Sequence, residues 1–271
     1  MNLRQIIRDT QAYNFHNHTE YCDGRNTVEA MAYGAEKAGM EHFGFTPHSP
    51  IPIDSPCNMS KESVPRYRAE VERMKTLGLP VCFYTGMEID YLGQQWGPAN
   101  NYFRDLGLDF CIGSVHFIPN QKGEYVDIDG HFDSFRRKMA DKFGGDIHYV
   151  VTKFYEQSAA MLAAGGFDIL GHFDKVGHNA ALYQPGIEDE QWYQDIIGDF
   201  IDLVVDSKIL VEINTKARAE HGRFFPGERY WKRLINAGVD FVVNSDAHYA
   251  DRISSSRSEA FELLKGYGYD R

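Results

Sequence analysis

Short apolar runs alternate along the chain with longer segments in which apolar residues recur at helical spacing. The apolar runs predict seven strands, at residues 13–18, 42–46, 81–85, 110–115, 167–170, 209–213 and 240–244. The helical spacing predicts helices at residues 27–38, 63–77, 100–106, 149–164, 190–206, 228–237 and 258–266. The first two helices are followed by Gly39 and Gly78, and glycine commonly ends a helix.

This alternation is typical of successive βα units and a parallel sheet. Seven units predict an α/β fold close to the TIM barrel, in one domain that spans residues 1–271. An open, doubly wound sheet uses the same unit and is an alternative on periodicity alone. The polar residues favour the barrel, because they follow the strands, and barrel enzymes place their chemistry at the carboxyl ends of their strands.

Charge narrows the range of partners. The chain has 28 Lys and Arg against 39 Asp and Glu, which gives a formal charge of -11. This balance argues against binding nucleic acid, which requires clustered basic residues to neutralise phosphates. A small phosphorylated substrate is not excluded, since metal ions can supply positive charge locally.

Nothing in the sequence indicates export or a membrane. The N-terminal segment lacks the basic and apolar regions of a secretory signal, and no apolar run approaches the ~20 residues of a membrane span. The four cysteines (22, 57, 82 and 111) form no CxxC pair, so reduced thiols are expected. We therefore expect a cytoplasmic protein with no nucleic-acid or membrane partner, and the sequence does not indicate its oligomeric state.

The 11 histidines are the feature that points to chemistry, because many of them stand where a predicted strand ends. Six of the seven strands end in His or a carboxylate, and these side chains are expected to meet at one mouth of the barrel. In strand order the residues are His16, His18 and Asp23, then His48, Glu88, His116, His172, and finally Asp246 with His248.

This set of residue types favours a metal site. Imidazole and carboxylate groups suit Zn, Mn or Fe, and residues i and i+2 of a strand point to the same side. His16 with His18 and Asp246 with His248 have that spacing. At three or four ligands per ion, nine residues predict two to three divalent ions. Each residue alone has a structural alternative, such as a half-buried histidine or a helix N-cap, but their shared position favours metal.

The motifs around these residues resemble the PHP (polymerase and histidinol phosphatase) superfamily over His16–His248. They read HxH with Asp-Gly, Thr-x-His, Gly-x-Glu-x-Asp, Gly-Ser-Val-His, Gly-His-x-Asp and Ser-Asp-Ala-His. The segments 86–91, 113–117 and 212–215, followed by Arg218, are most similar to the histidinol-phosphate phosphatase branch. The resemblance implies a distorted (β/α)7 TIM-like barrel with a trinuclear metal centre.

The resemblance also assigns ligands. The first ion would be held by His16, His18, Glu88 and Asp246, the second by Glu88, His116 and His172, and the third by Asp23, His48 and His248. Two segments depart from the superfamily pattern. Pro47 stands where Asp is frequent, which leaves the His48 ligand intact, and residues 214–218 lack the usual spacing before the arginine, which leaves the phosphate contact open.

The activity implied is hydrolysis of a phosphate monoester, most directly L-histidinol phosphate to L-histidinol and phosphate in histidine biosynthesis. Arg218 is expected to clamp the phosphate, with a solvated surface arginine as its alternative, and Asp246 or His248 to relay a proton. Weaker substrate contacts are expected from Lys175, His178, His221, Arg223 and Arg257. Asp174 is expected to orient a ligand imidazole, with an ordinary loop aspartate as its alternative. The acidic insert 119–133 and the segment 50–59 are predicted lids, or else solvated loops.

Three other functions are compatible with parts of the pattern. An amidohydrolase-type enzyme shares the HxH motif and the late Asp, but it usually needs an eighth strand and a bridging lysine. A PHP phosphoesterase could act on another small phosphate ester or on a nucleotide. A catalytically silent PHP module could serve as a binding part, although such modules tend to lose ligands and all nine positions are filled here.

Overall fold

Seven parallel strands, hydrogen-bonded in chain order, form the central sheet of the protein. The computed structural model describes residues 1–269, so the last two residues of the predicted domain lie outside the described part. The sheet consists of β1 (Tyr13–Asn14), β2 (His42–Phe45), β3 (Cys82–Asp90), β4 (Phe110–Ser114), β7 (Ile169–Leu170), β8 (Leu210–Asn214) and β9 (Phe241–Asn244); a separate antiparallel hairpin consists of β5 (Phe117–Pro119) and β6 (Tyr125–Asp127).

The sheet curves until β1 and β9 meet, so the predicted (β/α)7 barrel is confirmed. Here the backbone N–H of His18 donates to the carbonyl of Ala247 (2.9 Å). The backbone N–H of Phe15 donates to Oδ1 of Asn244 (2.8 Å), and Nδ2 of Asn14 donates to Oγ of Ser245 (2.6 Å). A doubly wound sheet would reverse its strand order at a switch point, and this order does not reverse.

Helices cover the outside of the barrel, and some of them begin at a polar residue whose side chain caps the first turn. The hydroxyl of Thr27 accepts from the backbone N–H of Ala30, and the carboxylate of Asp146 accepts from that of Tyr149. The helices are α1 (Leu3–Asp9), α2 (Val28–Lys37), α3 (Val64–Lys75), α4 (Asn101–Arg104), α5 (Phe132–Phe143), α6 (Ile147–Ala164), α7 (Val176–Tyr183), α8 (Gln191–Ser207), α9 (Arg218–His221), α10 (Glu228–Asn236) and α11 (Arg257–Gly266).

The insert between β4 and β7 is more ordered than the sequence analysis expected. Residues 119–133 are not irregular throughout, because they include most of the β5–β6 hairpin and the start of α5. Helix α5 buries Phe135, Met139 and Phe143, a stripe at i, i+4 and i+8 that is visible in the sequence. Helices α1 and α7 were not predicted either.

The interior face of the strands changes from apolar to polar toward the carboxyl ends. On β4 it runs Phe110, Ile112, Ser114, and on the neighbouring β3 it runs Gly86, Glu88, Asp90, in matching register. At the other end, Leu3 and Ile7 of α1 belong to the same apolar cluster as Phe110. Hydrophobic packing therefore fills the lower barrel, and polar side chains gather at the upper mouth.

The four cysteines are unpaired, as expected. Among residues 1–269, no helix combines the length and apolar character needed to cross a bilayer.

Candidate metal centre

All nine predicted ligands converge at the carboxyl ends of the barrel strands. They form four overlapping groups in which one nitrogen or oxygen of each residue lies within 4.8 Å of the others. The groups are His16, His18 and Glu88; His16, His172 and Asp246; His48, Glu88 and His116; and His18, Asp23, His48 and His248.

Glu88 lies at the centre and presents its two oxygens to different histidines. Oε2 is 3.1 Å from His16 Nε2, 3.5 Å from His18 Nε2 and 3.1 Å from His48 Nδ1. Oε1 is 2.8 Å from His172 Nε2 and 3.4 Å from His116 Nε2. One buried carboxylate can therefore bridge two ion positions.

A hydroxyl fixes the orientation of this carboxylate. Oγ of Ser114 donates to Oε1 of Glu88 (2.7 Å), from the position opposite Asp90 in the β3–β4 register. A Cβ at Gly171 would lie 2.5 Å from that Oγ, so a larger residue there would displace Ser114.

Asp23 forms the outer group at the rim. Its Oδ1 lies 3.2 Å from His248 Nε2, 3.8 Å from His48 Nε2 and 3.7 Å from His18 Nδ1. The loop reaches this position by folding tightly against its own start, since a Cβ at Gly24 would lie 2.4 Å from the backbone nitrogen of Thr19. The Asp-Gly pair in the sequence therefore reflects a close backbone approach.

Asp246 completes the inner group from the β9 end. Its Oδ1 is 3.1 Å from His18 Nε2 and 3.8 Å from His16 Nε2, while Oδ2 accepts from Nδ2 of Asn214 (3.1 Å). Its φ of 49° lies in the left-handed region, which costs a non-glycine residue energy and is commonly retained at functional sites.

The donor set fits divalent metal ions. Six buried polar atoms in the cluster make no hydrogen bond, although burying an unpaired polar atom is unfavourable. They are Nε2 of His16, His18 and His116, Nδ1 of His48, Oε2 of Glu88 and Oδ1 of Asp23. Imidazole nitrogens and carboxylate oxygens in this arrangement are ligands of the kind that Zn, Mn and Fe take.

Two further carboxylates orient ligand imidazoles. Oε1 of Glu212 lies 2.7 Å from His16 Nδ1, and Oδ1 of Asp90 lies 2.7 Å from His116 Nδ1. Each contact leaves the other ring nitrogen, Nε2, directed at Glu88. Such pairs are a common support of metal-binding histidines.

Neighbouring groups of opposite charge shift the pKa values of Glu88 and His116 toward their charged forms. Burial alone would raise the pKa of Glu88, but the imidazoles of His16, His48 and His116 hold it well below its usual range. Burial alone would lower the pKa of His116, but Asp90 and Glu88 raise it to about 9, so without an ion its imidazole holds a proton that a bound metal would displace. The central carboxylate is therefore ionised at neutral pH, as a metal ligand must be.

A cavity of about 490 Å³ opens above the cluster and has the size of a small-molecule site. Of the weaker predicted contacts, the structure brings Lys175, His178 and His221 to its wall. Both predicted lids contribute, through Cys57 and Asn58 of one and Asp127, Asp129 and residues 130–132 of the other.

The three predicted arginines do not line the cavity. Arg218 forms ion pairs with Glu228 (3.0 Å) and Glu259 (2.6 Å), because the short helix α9 directs it outward toward α10 and α11. Arg223 pairs with Glu188 and Asp174. Arg257 is buried, packs on Tyr13 and donates to backbone carbonyls.

The expectation for Asp174 was also wrong. Its Oδ2 accepts from the backbone N–H of Gly227 (2.8 Å) and pairs with Arg223 (3.2 Å), so it holds the loop after β8 and not a ligand imidazole. Burial is the main cause that raises its pKa to about 6.

The sequence analysis did not predict three residues of the site, Asp90, Glu212 and Lys216, although the sequence motifs contained a sign of the first two. Asp90 and Glu212 stand within the quoted motifs, with Asp90 two residues after Glu88 on the same strand face. Lys216 had none. Its Nζ lies 3.3 Å from Asp246 Oδ1 and 3.2 Å from His248 Nε2, at the cavity wall.

The fold and site together define a metal-binding barrel enzyme with its ligands at the carboxyl ends of the strands. The sequence model of the PHP domain matches residues 14–216. The chain therefore belongs to the PHP domain family, and the resemblance seen in the sequence is confirmed.

Individual relatives agree with this assignment. The chain is 28% identical to a Bacillus subtilis protein named histidinol-phosphatase, over 87% of this chain and 92% of that protein. The hisK structure from Listeria monocytogenes superposes with a TM-score of 0.80 at 18% identity, covering 91% of this chain and 99% of the other. Histidinol phosphate phosphatase from Lactococcus lactis, in complex with zinc, L-histidinol and phosphate, superposes with a TM-score of 0.68 at 19% identity, covering 95% and 94%.

We predict that His172→Ala lowers bound metal by about one ion per chain, because its Nε2 is part of the group around Glu88. The matched control is His178→Ala, which removes the same side chain from the cavity wall but from no ligand group. Metal content of both purified variants, measured by inductively coupled plasma mass spectrometry, checks this. Equal metal content would contradict the assignment.

Proposed function

We propose that this protein hydrolyses the phosphate monoester L-histidinol phosphate to L-histidinol and phosphate. The observation that carries the proposal is the set of nine candidate ligands, with Glu88 at their centre, beneath one cavity of small-molecule size. The protein is a phosphomonoesterase hydrolase. The relative named histidinol-phosphatase, and the Lactococcus lactis structure that holds zinc, histidinol and phosphate, support the choice of substrate. The product would place the reaction in histidine biosynthesis.

We propose that the site binds three divalent ions. His16, His18, Glu88 and Asp246 would hold the first, Glu88, His116 and His172 the second, and Asp23, His48 and His248 the third. The distances support the main lines of this division, since the two oxygens of Glu88 face separate histidines and Asp23 faces His248. His48 lies between the groups, with Nδ1 3.1 Å from Glu88 and Nε2 3.8 Å from Asp23. When bound, the ions would neutralise charge on the phosphate oxygens and supply a nucleophilic water at neutral pH.

Lysines take the role that the sequence analysis gave to Arg218. Among lysines and arginines of residues 1–269, those that line the cavity are Lys175 and Lys216. Nζ of Lys175 pairs with Oδ2 of Asp129 (2.7 Å), whereas Nζ of Lys216 contacts only ligand atoms, those of Asp246 and His248. Lys216 is therefore the cation best placed to contact a phosphate bound over the ligands.

The reaction forms one bond and breaks one. The oxygen of water bonds to phosphorus, the ester P–O bond breaks, and the leaving alkoxide takes a proton. Asp246 is unsuited to donate it. Burial alone would raise its pKa, but Lys216 and His16 hold it well below its usual range. His248 would be held by the third ion, so Lys216, whose Nζ lies 3.2 Å from Nε2 of His248 at the cavity wall, is the proposed group that passes this proton.

The direct test is phosphate release from L-histidinol phosphate and from a panel of other monoesters and nucleotides. We expect kcat/KM for L-histidinol phosphate to exceed that for the other esters, and expect chelation to abolish turnover. A higher kcat/KM for another ester would show that the substrate is that ester and not L-histidinol phosphate. Release from none of them would support a catalytically silent module.

We predict that Lys216→Met lowers kcat/KM roughly tenfold to a hundredfold, because a charge-assisted contact to the phosphate is lost. The matched control is Arg218→Met, which should change it less than about twofold because Arg218 lies outside the cavity. Initial rates on L-histidinol phosphate check both variants. A larger loss in the Arg218 variant would restore the original assignment.

A further inference from the structure

Part of the cavity wall lies outside the metal-ligand groups and carries polar groups of its own. We call it the α7–α9 wall, and it consists of His178, Asn179, Leu182, Glu220 and His221. The proposed reaction places the phosphate over the ligands, which leaves this wall to face the rest of the substrate.

Asn179 supplies an unused hydrogen-bond acceptor. Its side chain is buried, and its Nδ2 donates to the carbonyls of Gly130 (3.2 Å) and Ile128 (3.4 Å). These two acceptors fix the orientation of the amide, since a flipped amide would set oxygen against oxygen. Oδ1 of Asn179 then makes no hydrogen bond, although it is buried and the residue lines the cavity. A buried acceptor without a partner calls for a donor from a ligand.

Glu220 supplies negative charge on the same cavity wall. Its exposed side chain lines the cavity, and no ion pair involves it in the part of the chain that the structure describes. The other three carboxylates on the cavity wall that are not predicted ligands already have partners: Asp90 contacts His116, Asp127 pairs with Lys138 and Asp129 with Lys175, each at 2.7 Å. Glu220 is thus the carboxylate that remains available to a cationic ligand group.

Two imidazoles complete the wall with an aromatic surface. The rings of His178 and His221 lie 4.6 Å apart between centroids, and Phe225 stands edge-on to His178 at 6.4 Å. Aromatic side chains in such arrangements stack well on a planar ring.

We propose that the α7–α9 wall is a recognition subsite for a positively charged group that bears an N–H donor. Asn179 Oδ1 accepts the N–H, Glu220 balances the charge, and the paired imidazoles pack against the ligand. This inference rests on the proposed function and deepens it, because L-histidinol phosphate carries an ammonium and an imidazole opposite its phosphate. The wall would make the enzyme selective for cationic phosphate esters.

The test compares Glu220→Gln with wild type on three esters. L-Histidinol phosphate carries an ammonium and an imidazole, phosphoethanolamine carries only an ammonium, and glycerol phosphate carries neither. We expect kcat/KM of the variant to fall about tenfold on L-histidinol phosphate and less than about twofold on glycerol phosphate. A loss on phosphoethanolamine as well identifies the ammonium as the partner of Glu220, and no loss there identifies the imidazole.

The matched control is Glu262→Gln, the same change on an exposed residue of α11, which should leave all three values unchanged. Asn179→Leu should also reduce the preference for L-histidinol phosphate. Because the side chain of Asn179 donates to two carbonyls of the insert, the thermal stability of the Asn179 variant must be measured as well. If that variant does not fold, the Glu220 variant alone still tests the subsite. Equal losses on all three esters, or no loss on L-histidinol phosphate, would overturn the subsite.

Calorimetry with L-histidinol separates the failure of this subsite from the failure of the proposed function. If the wild-type protein hydrolyses none of the esters, the proposed function fails, but the subsite still predicts that L-histidinol binds and that Glu220→Gln weakens its binding about tenfold. If the protein hydrolyses esters but binds L-histidinol equally with and without Glu220, the phosphoesterase stands and the subsite is wrong.

Discussion

The structure of the site depends on one carboxylate, Glu88, whose two oxygens face two sets of histidines. A buried carboxylate is stable only if its charge is matched. Here imidazoles from β1, β2, β4 and β7 surround it, and a serine hydroxyl fixes its orientation. These groups come from the ends of four strands other than β3, which carries Glu88, so the sheet must assemble before the carboxylate has its partners. The cluster and the fold therefore depend on each other.

The inner faces of the strands are divided into an apolar part and a polar part. The lower positions are apolar and pack with α1, while the upper positions are polar and converge on Glu88. The seam between β1 and β9 belongs to the same arrangement, because Asn244 accepts from the backbone of Phe15 and donates to Glu212, which in turn orients His16. Closure of the barrel and placement of a ligand are thus linked through three hydrogen bonds.

The convergence of the nine candidate ligands was predictable from the sequence, because the carboxyl ends of parallel strands meet at one rim of a barrel. Such a prediction requires only that the strands be located along the chain. The direction of a side chain on a short loop is not predictable in this way. Arg218 turns outward on helix α9 and pairs with Glu228 and Glu259, which lie 10 and 41 residues further along the chain. Lys216, two residues earlier, faces the cavity. The hairpin of the insert was missed since its strands are three residues each, and Asn179 had no signal until the fold placed the carbonyls of the insert beside it.

The central claim is that Glu88 bridges two divalent ions, and anomalous diffraction from crystals grown with zinc or manganese tests it most directly. The account predicts two strong peaks, one near each oxygen of Glu88 and each about 2.0–2.3 Å from its ligand atoms, with a third peak beside Asp23. A map without a peak at Glu88, or with one ion that leaves His116 and His172 without a metal contact, would contradict it.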